Sequence, residues 1–325
     1  MLQRAKKHAA KFIYGDHLSC YVINEEPLIL VSYFSDCYYK LDAYASRIEN
    51  RDSMQPVYLF FQLGYHVESE RRLTEVYQQH EAVKERMPHV HTLFLTNSPT
   101  EEENLKRLGL DAMYAHQNAF LDPRRYPLVN RSKKYDAIYL ARFTPAKRHE
   151  LARDIKSLKL IGDHMIEEQS YYDASLRHLS HADLERKVYN FQVSRALSRA
   201  SVGLCLSAEE GAMFVSAEYH LAGLPAVSTS NLGGRHHLMP KDCFLEVPDD
   251  PKLISEAVDE LKRRQLSPEN IRSQIIEKMA CHKARLQDRI NQIRIDNGFQ
   301  AQQIDLPHKL CLRTRVPVSL RNKML

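Results

Sequence analysis

The sequence predicts an α/β protein of two lobes, each built on a largely parallel sheet. Three observations carry that expectation. Short β-branched and aromatic runs alternate with helical periodicities, the order that a parallel sheet with crossover helices requires. The alternation occurs twice, on either side of Asp122–Lys134, a basic segment broken by two prolines that reads as an interdomain linker. The chain has 325 residues, enough for two domains at roughly 150 residues each.

In the first half, Leu28–Phe34, Val57–Leu63 and Thr92–Thr96 are apolar runs bounded by polar or proline-containing turns, the pattern of buried strands. After Glu68, the residues Leu73, Val76, Tyr77, His80, Val83 and Met87 recur at helical spacing. A second helix starts at Ser98 as N-cap, with Pro99 in the first turn and Glu101 closing a capping box. Beyond the linker, Ala137–Leu140 opens the second sheet. Leu158–Ile161 follows and stops at Gly162, and a long polar helical region runs to Ser198. Val202–Leu206 and Ala226–Thr229 are further strands, with a helix over Met213–Ala222 between them that Gly223 and Pro225 stop. Pro251 and Pro268, each after a capping residue (Asp250, Ser267), open two terminal helices. The second carries Ile271, Ile275, Met279, His282 and Leu286 on one face. The expected division is a first lobe over 1–130, a second over 135–298, and a basic tail over 299–325.

Hydrophobic residues make up 43% of the chain and charged residues 27%, which supports a packed core and excludes global disorder. The longest apolar runs, Leu28–Val31 and Val57–Phe61, fall far short of the ~20 residues of a membrane span. Met1–Phe12 is basic without the apolar stretch of a secretory signal. A soluble, cytoplasmic chain is expected. The net charge of +5 is mild for a nucleic-acid binder and suits an anionic small molecule or a membrane surface. Six scattered cysteines without a CxxC pair read as reduced thiols. The ten glycines form neither GxGxxG nor GxxxxGK[ST]. No DxD pair stands ready to hold a divalent metal beside a diphosphate. His178 with His181, and His308 with Cys311, lack the further ligands of a zinc site.

The chemistry-bearing residues gather after the strands of the second half. Glu210 follows a strand and a Ser-Ala-Glu turn, which places it at the carboxyl end of the sheet, where open α/β sheets bind ligands. Gly211 permits close approach of backbone to ligand, and the residues after it open a helix whose N–H groups suit phosphate oxygens. Glu218 is the only charged residue between Ala212 and Ala222, and a carboxylate in so apolar a helix needs donors. Ribose hydroxyls or a neighbouring Arg both satisfy that need. Arg142 and Lys147 lie in the loop after Ala137–Leu140, at the same edge as Glu210. Together they suit a diphosphate, and a solvated turn is the plainer alternative. In the first half, His66 follows a strand and Gly64 at the start of a helix, as a cleft residue or simply a cap. His236 and His237, beside Gly233-Gly234, are alternatives.

The order Arg142-x4-Lys147, Glu210-x7-Glu218, Ala222-Gly-Leu-Pro225 and Gly233-Gly234 resembles the group 1 glycosyltransferases of GT-B fold. The segment Gln117-Asn118-Ala-Phe-Leu-Asp122-Pro-Arg-Arg-Tyr126 looks like the family's Pro-Asn-Gly-Val-Asp…Phe stretch. The resemblance runs from about Thr96 to Asp259. It implies two Rossmann-like lobes facing across a cleft, with a short N-terminal lobe on the acceptor side and a tail that returns to it. It implies transfer of a sugar, with retention and without metal, from a nucleotide diphosphate donor to a glycan, lipid or other acceptor, as in making a surface polysaccharide precursor. On that resemblance Arg142 and Lys147 hold the diphosphate. Glu210 faces the donor sugar with the amides of Gly211, Ala212 and Met213, and Glu218 binds the ribose. His66 is the candidate participant from the N-terminal lobe. No cofactor and no nucleic acid are expected; peripheral contact with the inner membrane face is. The chain departs from the family at Arg148, where Gly is common, and at Tyr33–Cys37, where a Gly-Gly loop is usual. A nucleotide-sugar epimerase and a non-catalytic sugar-nucleotide-binding partner are the alternatives.

Overall fold

The computed structural model describes residue 18 and residues 20–49, 55–186 and 190–306. Met1–Phe12, the His308/Cys311 pair and most of the tail lie outside these residues. The described chain forms two compact units. One contains the residues up to Leu121 and those from Cys281 onward; the other is Asp122–Ala280.

The first unit carries a five-stranded sheet: β1 (Cys20–Asn24), β2 (Leu28–Tyr33), β3 (Val57–Gln62), β4 (Val90–Thr96) and β5 (Ala112–Tyr114), in that spatial order. β1 is antiparallel to β2 and every other pairing is parallel. Helices α1 (Phe34–Tyr39), α2 (Leu41–Glu49), α3 (Glu70–Arg86) and α4 (Pro99–Arg107) connect them. Leu28, Leu30, Leu59, Phe61 and Phe94 join Val76, Val83 and Leu105 of α3 and α4 in one core. The alternate residues Ile29, Val31, Phe60, Leu93 and Leu95 are buried as well. A parallel sheet covered on both faces reads as unbroken apolar runs, which is why these strands are legible. The N-cap half of the capping box forms, with Ser98 Oγ accepting the Glu101 N–H at 3.0 Å, while the reciprocal half shifts to neighbouring N–H groups. The Glu101 carboxylate takes the N–H groups of Asn97 (2.7 Å) and Val67 (3.1 Å), tying together the chain after β3 and β4. Burial pushes that carboxyl up to about 7.

The second unit holds β6 (Tyr135–Leu140), β7 (Leu158–Ile161), β8 (Asp183–Glu185), β9 (Ala200–Cys205), β10 (Ala226–Thr229) and β11 (Phe244–Val247) in the order β11-β10-β9-β6-β7-β8. All neighbours are parallel. The chain starts at the middle of the sheet and winds outward both ways, so the strand order reverses between β6 and β9. The ladder between those two ends at Ile138 and Gly203. Beyond it, Tyr219 of α7 (Phe214–Leu221) serves the unpaired backbone. Its hydroxyl accepts the Leu140 N–H at 3.0 Å and donates to the Ile138 carbonyl at 3.3 Å. Gly203 makes room, since a Cβ there would stand 2.3 Å from the Tyr219 ring.

Three expectations need correction. The region up to Ser198 is not one helical stretch but α5 (Gln169–His178), β8 and α6 (Asn190–Leu197). β8 is a short edge strand without β-branched residues, and its Asp183 and Glu185 neutralise Lys159, buried on β7, at 3.0 and 3.1 Å. The segment Asp122–Lys134 is more than a linker. Arg272 donates to the carbonyls of Pro123, Tyr126 and Leu221, anchoring it in the second unit. The second division falls at residue 281, inside the 29-residue helix α10 (Pro268–Asp296) that follows α9 (Pro251–Arg264), and not near 298. An unbroken helix offers no Gly or Pro to mark the crossing. Its far end belongs to the first sheet: Asn297 Nδ2 donates to the Tyr58 hydroxyl at 2.9 Å, and Arg294 to Asn24 Oδ1 at 2.8 Å. The start of the tail stays there, with Gln302 N–H on Asn291 and Ile304 N–H on Gln287.

Gly203→Ala forces Tyr219 from its place between β6 and β9. It is expected to cost about 1–3 kcal/mol of stability, the usual range for overpacking. Thermal melting checks this, and an unchanged midpoint contradicts the account.

Candidate functional site

At the carboxyl edge of the second sheet, the loops after β6 and β9 flank the strand-order reversal. The first loop carries Arg142 and Lys147 and the second Glu210. Lys147 closes a single 3-10 turn, Pro145–Lys147, with its N–H on Thr144 O at 2.9 Å and its carbonyl accepting the Tyr139 hydroxyl at 2.6 Å. Its ammonium is ion-paired with Glu210 Oε1, which also accepts the Ser207 hydroxyl at 2.8 Å. Burial, with Arg235 and Arg142 nearby, pulls the Lys147 ammonium down to about 8, and the Cys205 thiol acts in the opposite direction. Arg142 turns elsewhere. Its side chain is 58% exposed, 3.6 Å from Glu168 and 3.7 Å from the Met165 sulfur.

Arg148 has left-handed backbone, φ +50°, where a Cβ is strained. The side chain offsets the strain by spanning three strand ends. It donates to Leu206 O (2.6 Å), Thr229 Oγ1 (2.7 Å) and Asp249 Oδ2 (2.6 Å).

The Glu210 loop is fastened to the glycine pair. Glu210 N–H donates to Leu232 O at 3.0 Å, and Gly234 N–H to Gly211 O at 2.7 Å. Met213, φ +50°, is left-handed and opens α7. Ala212 and Met213 are buried, and the Met213 side chain makes no cap bond to that helix. Half-buried Glu218 accepts the Tyr126 hydroxyl on Oε1 at 2.7 Å, and burial beside this carboxylate pushes the Tyr126 hydroxyl far up. Tyr126 comes from the segment read as a linker. Its hydroxyl fixes the carboxylate.

Arg235, unflagged by any motif, is fully buried and donates to the carbonyls of Ser207 (2.9 Å) and Thr229. Its position after Gly233-Gly234 was the available signal. His236 is held by Ser228 Oγ at 2.6 Å and stacked on Phe244, and burial pulls it down to about 4. His66 lies in the first unit. It is buried, its Nδ1 accepts the Glu68 N–H at 3.4 Å, and it caps the turn ahead of α3. The structure thus gathers Lys147, Glu210 and Gly211–Met213 at one edge with Arg142 close by, places Glu218 on the adjoining helix, and leaves His66 in the other unit. Among the described residues, no group of three or more His, Cys, Asp or Glu side chains is placed to hold a metal, and no helix is long and apolar enough to cross a membrane.

No protein-family model matches the chain, and no curated protein matches it by sequence. Solved structures match its fold. HepE from Anabaena, crystallised with UDP, superposes with a TM-score of 0.61 at 12% identity over 81% of this chain and 78% of its own. Sucrose-phosphate synthase from Thermosynechococcus elongatus gives 0.56 at 14% identity over 79% and 69%. TarM from S. aureus gives 0.58 at 10% identity over 81% of this chain and 54% of its own. These likenesses show the fold: two Rossmann-like lobes of the GT-B type.

Arg148→Ala loses three contacts and keeps the left-handed strain, whereas Arg148→Gly loses the same contacts but relieves about 1 kcal/mol of it. Both variants are expected to melt below wild type, Ala lower than Gly. The reverse order contradicts the assignment.

Proposed function

We propose that the chain is a metal-independent glycosyltransferase that binds a nucleoside diphosphate sugar at the carboxyl edge of its second sheet and transfers the sugar with retention to a glycan, lipid or other acceptor. The observation that carries this reading is the half-buried Lys147–Glu210 pair at the reversal of strand order. Ligands of doubly wound sheets bind at that point. HepE, with the same fold, has been solved with UDP and with UDP-glucose, which supports the reading.

The chemistry follows from the pair. Departure of a nucleoside diphosphate leaves negative charge on phosphate oxygens, and a preorganised cation meets that charge without reorganisation. Lys147 serves this role, and Arg142, more exposed, reaches the outer phosphate oxygens. A diphosphate displaces Glu210 from Lys147 and frees its carboxylate to accept donor sugar hydroxyls. The amides of Gly211–Met213 add donors, and Glu218, oriented by Tyr126, accepts the ribose hydroxyls. A non-catalytic nucleotide-sugar-binding protein is the second reading, favoured by His66 serving as a turn cap.

Lys147→Ala is expected to weaken nucleoside diphosphate binding by about 1.5–3 kcal/mol, with little change for the nucleoside. Calorimetry measures both, and equal diphosphate affinity rejects the role. A bound diphosphate raises the Lys147 pKa, so the affinity it contributes is complete below about 8 and is lost as pH rises through the higher, bound-state value. An affinity that improves with rising pH contradicts this. Glu218→Gln should keep the apo melting temperature, because the amide oxygen still accepts from Tyr126, and should lower donor affinity. Lost stability with unchanged affinity excludes ribose binding. Added chelator should leave transfer intact.

A further inference from the structure

Among the described residues, Arg235 heads the fully buried side chains by size. It opens the short helix α8 (Arg235–Leu238), directly after the glycine pair. Nη1 donates to Ser207 O at 2.9 Å and touches the Met213 sulfur at 3.7 Å; Nη2 donates to Thr229 O. Nε is buried with no partner. Among the described residues, no carboxylate pairs with this guanidinium. A neutral donor would hold two carbonyl oxygens at less cost, because a buried cation without a counter-charge is expensive. Glu246 of β11 attracts this charge without an ion pair. The unpaired charge therefore calls for an anion, and the two bridged carbonyls show where: Ser207 begins the turn to Glu210 after β9, and Thr229 ends β10.

We propose that Arg235 is a positioning residue of the diphosphate site, one that fixes the Ser207–Glu210 turn and supplies a permanent positive charge that a bound nucleoside diphosphate balances. The inference rests on the reading of the second unit as a nucleoside diphosphate site. Arg235 acts through Lys147. The groups around that ammonium are Glu210 and Cys205 from β9 and its loop, Arg142 from its own loop, and Arg235 from α8. A guanidinium keeps its charge at any pH the protein tolerates. Arg235 thus makes Lys147 release its proton more readily while holding the site positive, so part of the attraction survives where Lys147 is neutral.

The test titrates the full chain with UDP, ADP and GDP and with uridine, adenosine and guanosine across pH. Wild type should prefer at least one diphosphate to its nucleoside by roughly tenfold or more. No preference for any of them sinks the diphosphate-site reading, and this proposal with it. Given the preference, Arg235→Gln, which keeps a donor but no charge, should lose roughly tenfold in diphosphate affinity with nucleoside affinity nearly unchanged. Its alkaline fall-off should move to higher pH, because removing a cation raises the Lys147 pKa. A folded Gln variant with wild-type diphosphate affinity and fall-off overturns the role of Arg235 alone. Should that variant not fold, Arg235→Lys decides. At mildly acid pH it should bind diphosphate almost as wild type does, then lose affinity more steeply as the buried ammonium deprotonates; a profile superimposing on wild type overturns the proposal.

Discussion

The second unit depends on what happens where β6 and β9 stop pairing. Beyond Ile138 and Gly203 the backbone of β6 has lost its ladder partner, and buried N–H and C=O groups must find another. The Tyr219 hydroxyl meets both Leu140 and Ile138, and it fits only because position 203 has no side chain. One aromatic ring thus ends the ladder and fixes α7 against the sheet. The loops after β6 and β9 leave from this point, and Glu218, next to Tyr219 in sequence, is carried by the same helix.

Four cations stand at that edge, each balanced differently. Arg148 is fully used, with a carboxylate and two strand-end oxygens as partners. Arg142 is loosely held by Glu168, and Lys147 is held by Glu210. Arg235 has two carbonyl oxygens and the Met213 sulfur, and no ion-paired carboxylate among the described residues. The set is therefore graded, from a structural cation to an uncompensated one, and the surplus is positive. A folded protein carries such a surplus at a cost in stability that a bound anion offsets.

Much of this was legible in the chain. Strands covered on both faces, such as Val57–Gln62 and Ala226–Thr229, carry unbroken apolar runs, and the left-handed Gly223 (φ +75°) ends α7 as its place before Pro225 implies. Edge strands were not legible: β1, β8 and β11 are half-buried, and β8 is Asp-Leu-Glu. The charged residues at the second sheet's edge were visible from type and order, but their pairings were not. Lys147 and Glu210 meet only because β6 and β9 are neighbours, which no local pattern encodes. Tyr126 looked like part of a linker because its partner, Glu218, is distant in sequence. Arg235 was passed over beside two histidines because a buried arginine without a carboxylate runs against expectation.

A crystal structure of the chain with a bound nucleoside diphosphate tests the central claim most directly. The account predicts diphosphate oxygens within hydrogen-bond distance of Lys147 Nζ, with Glu210 turned away from the ammonium and the Tyr219 hydroxyl still on Leu140. A nucleotide bound elsewhere, with Lys147 and Glu210 still paired, would contradict it.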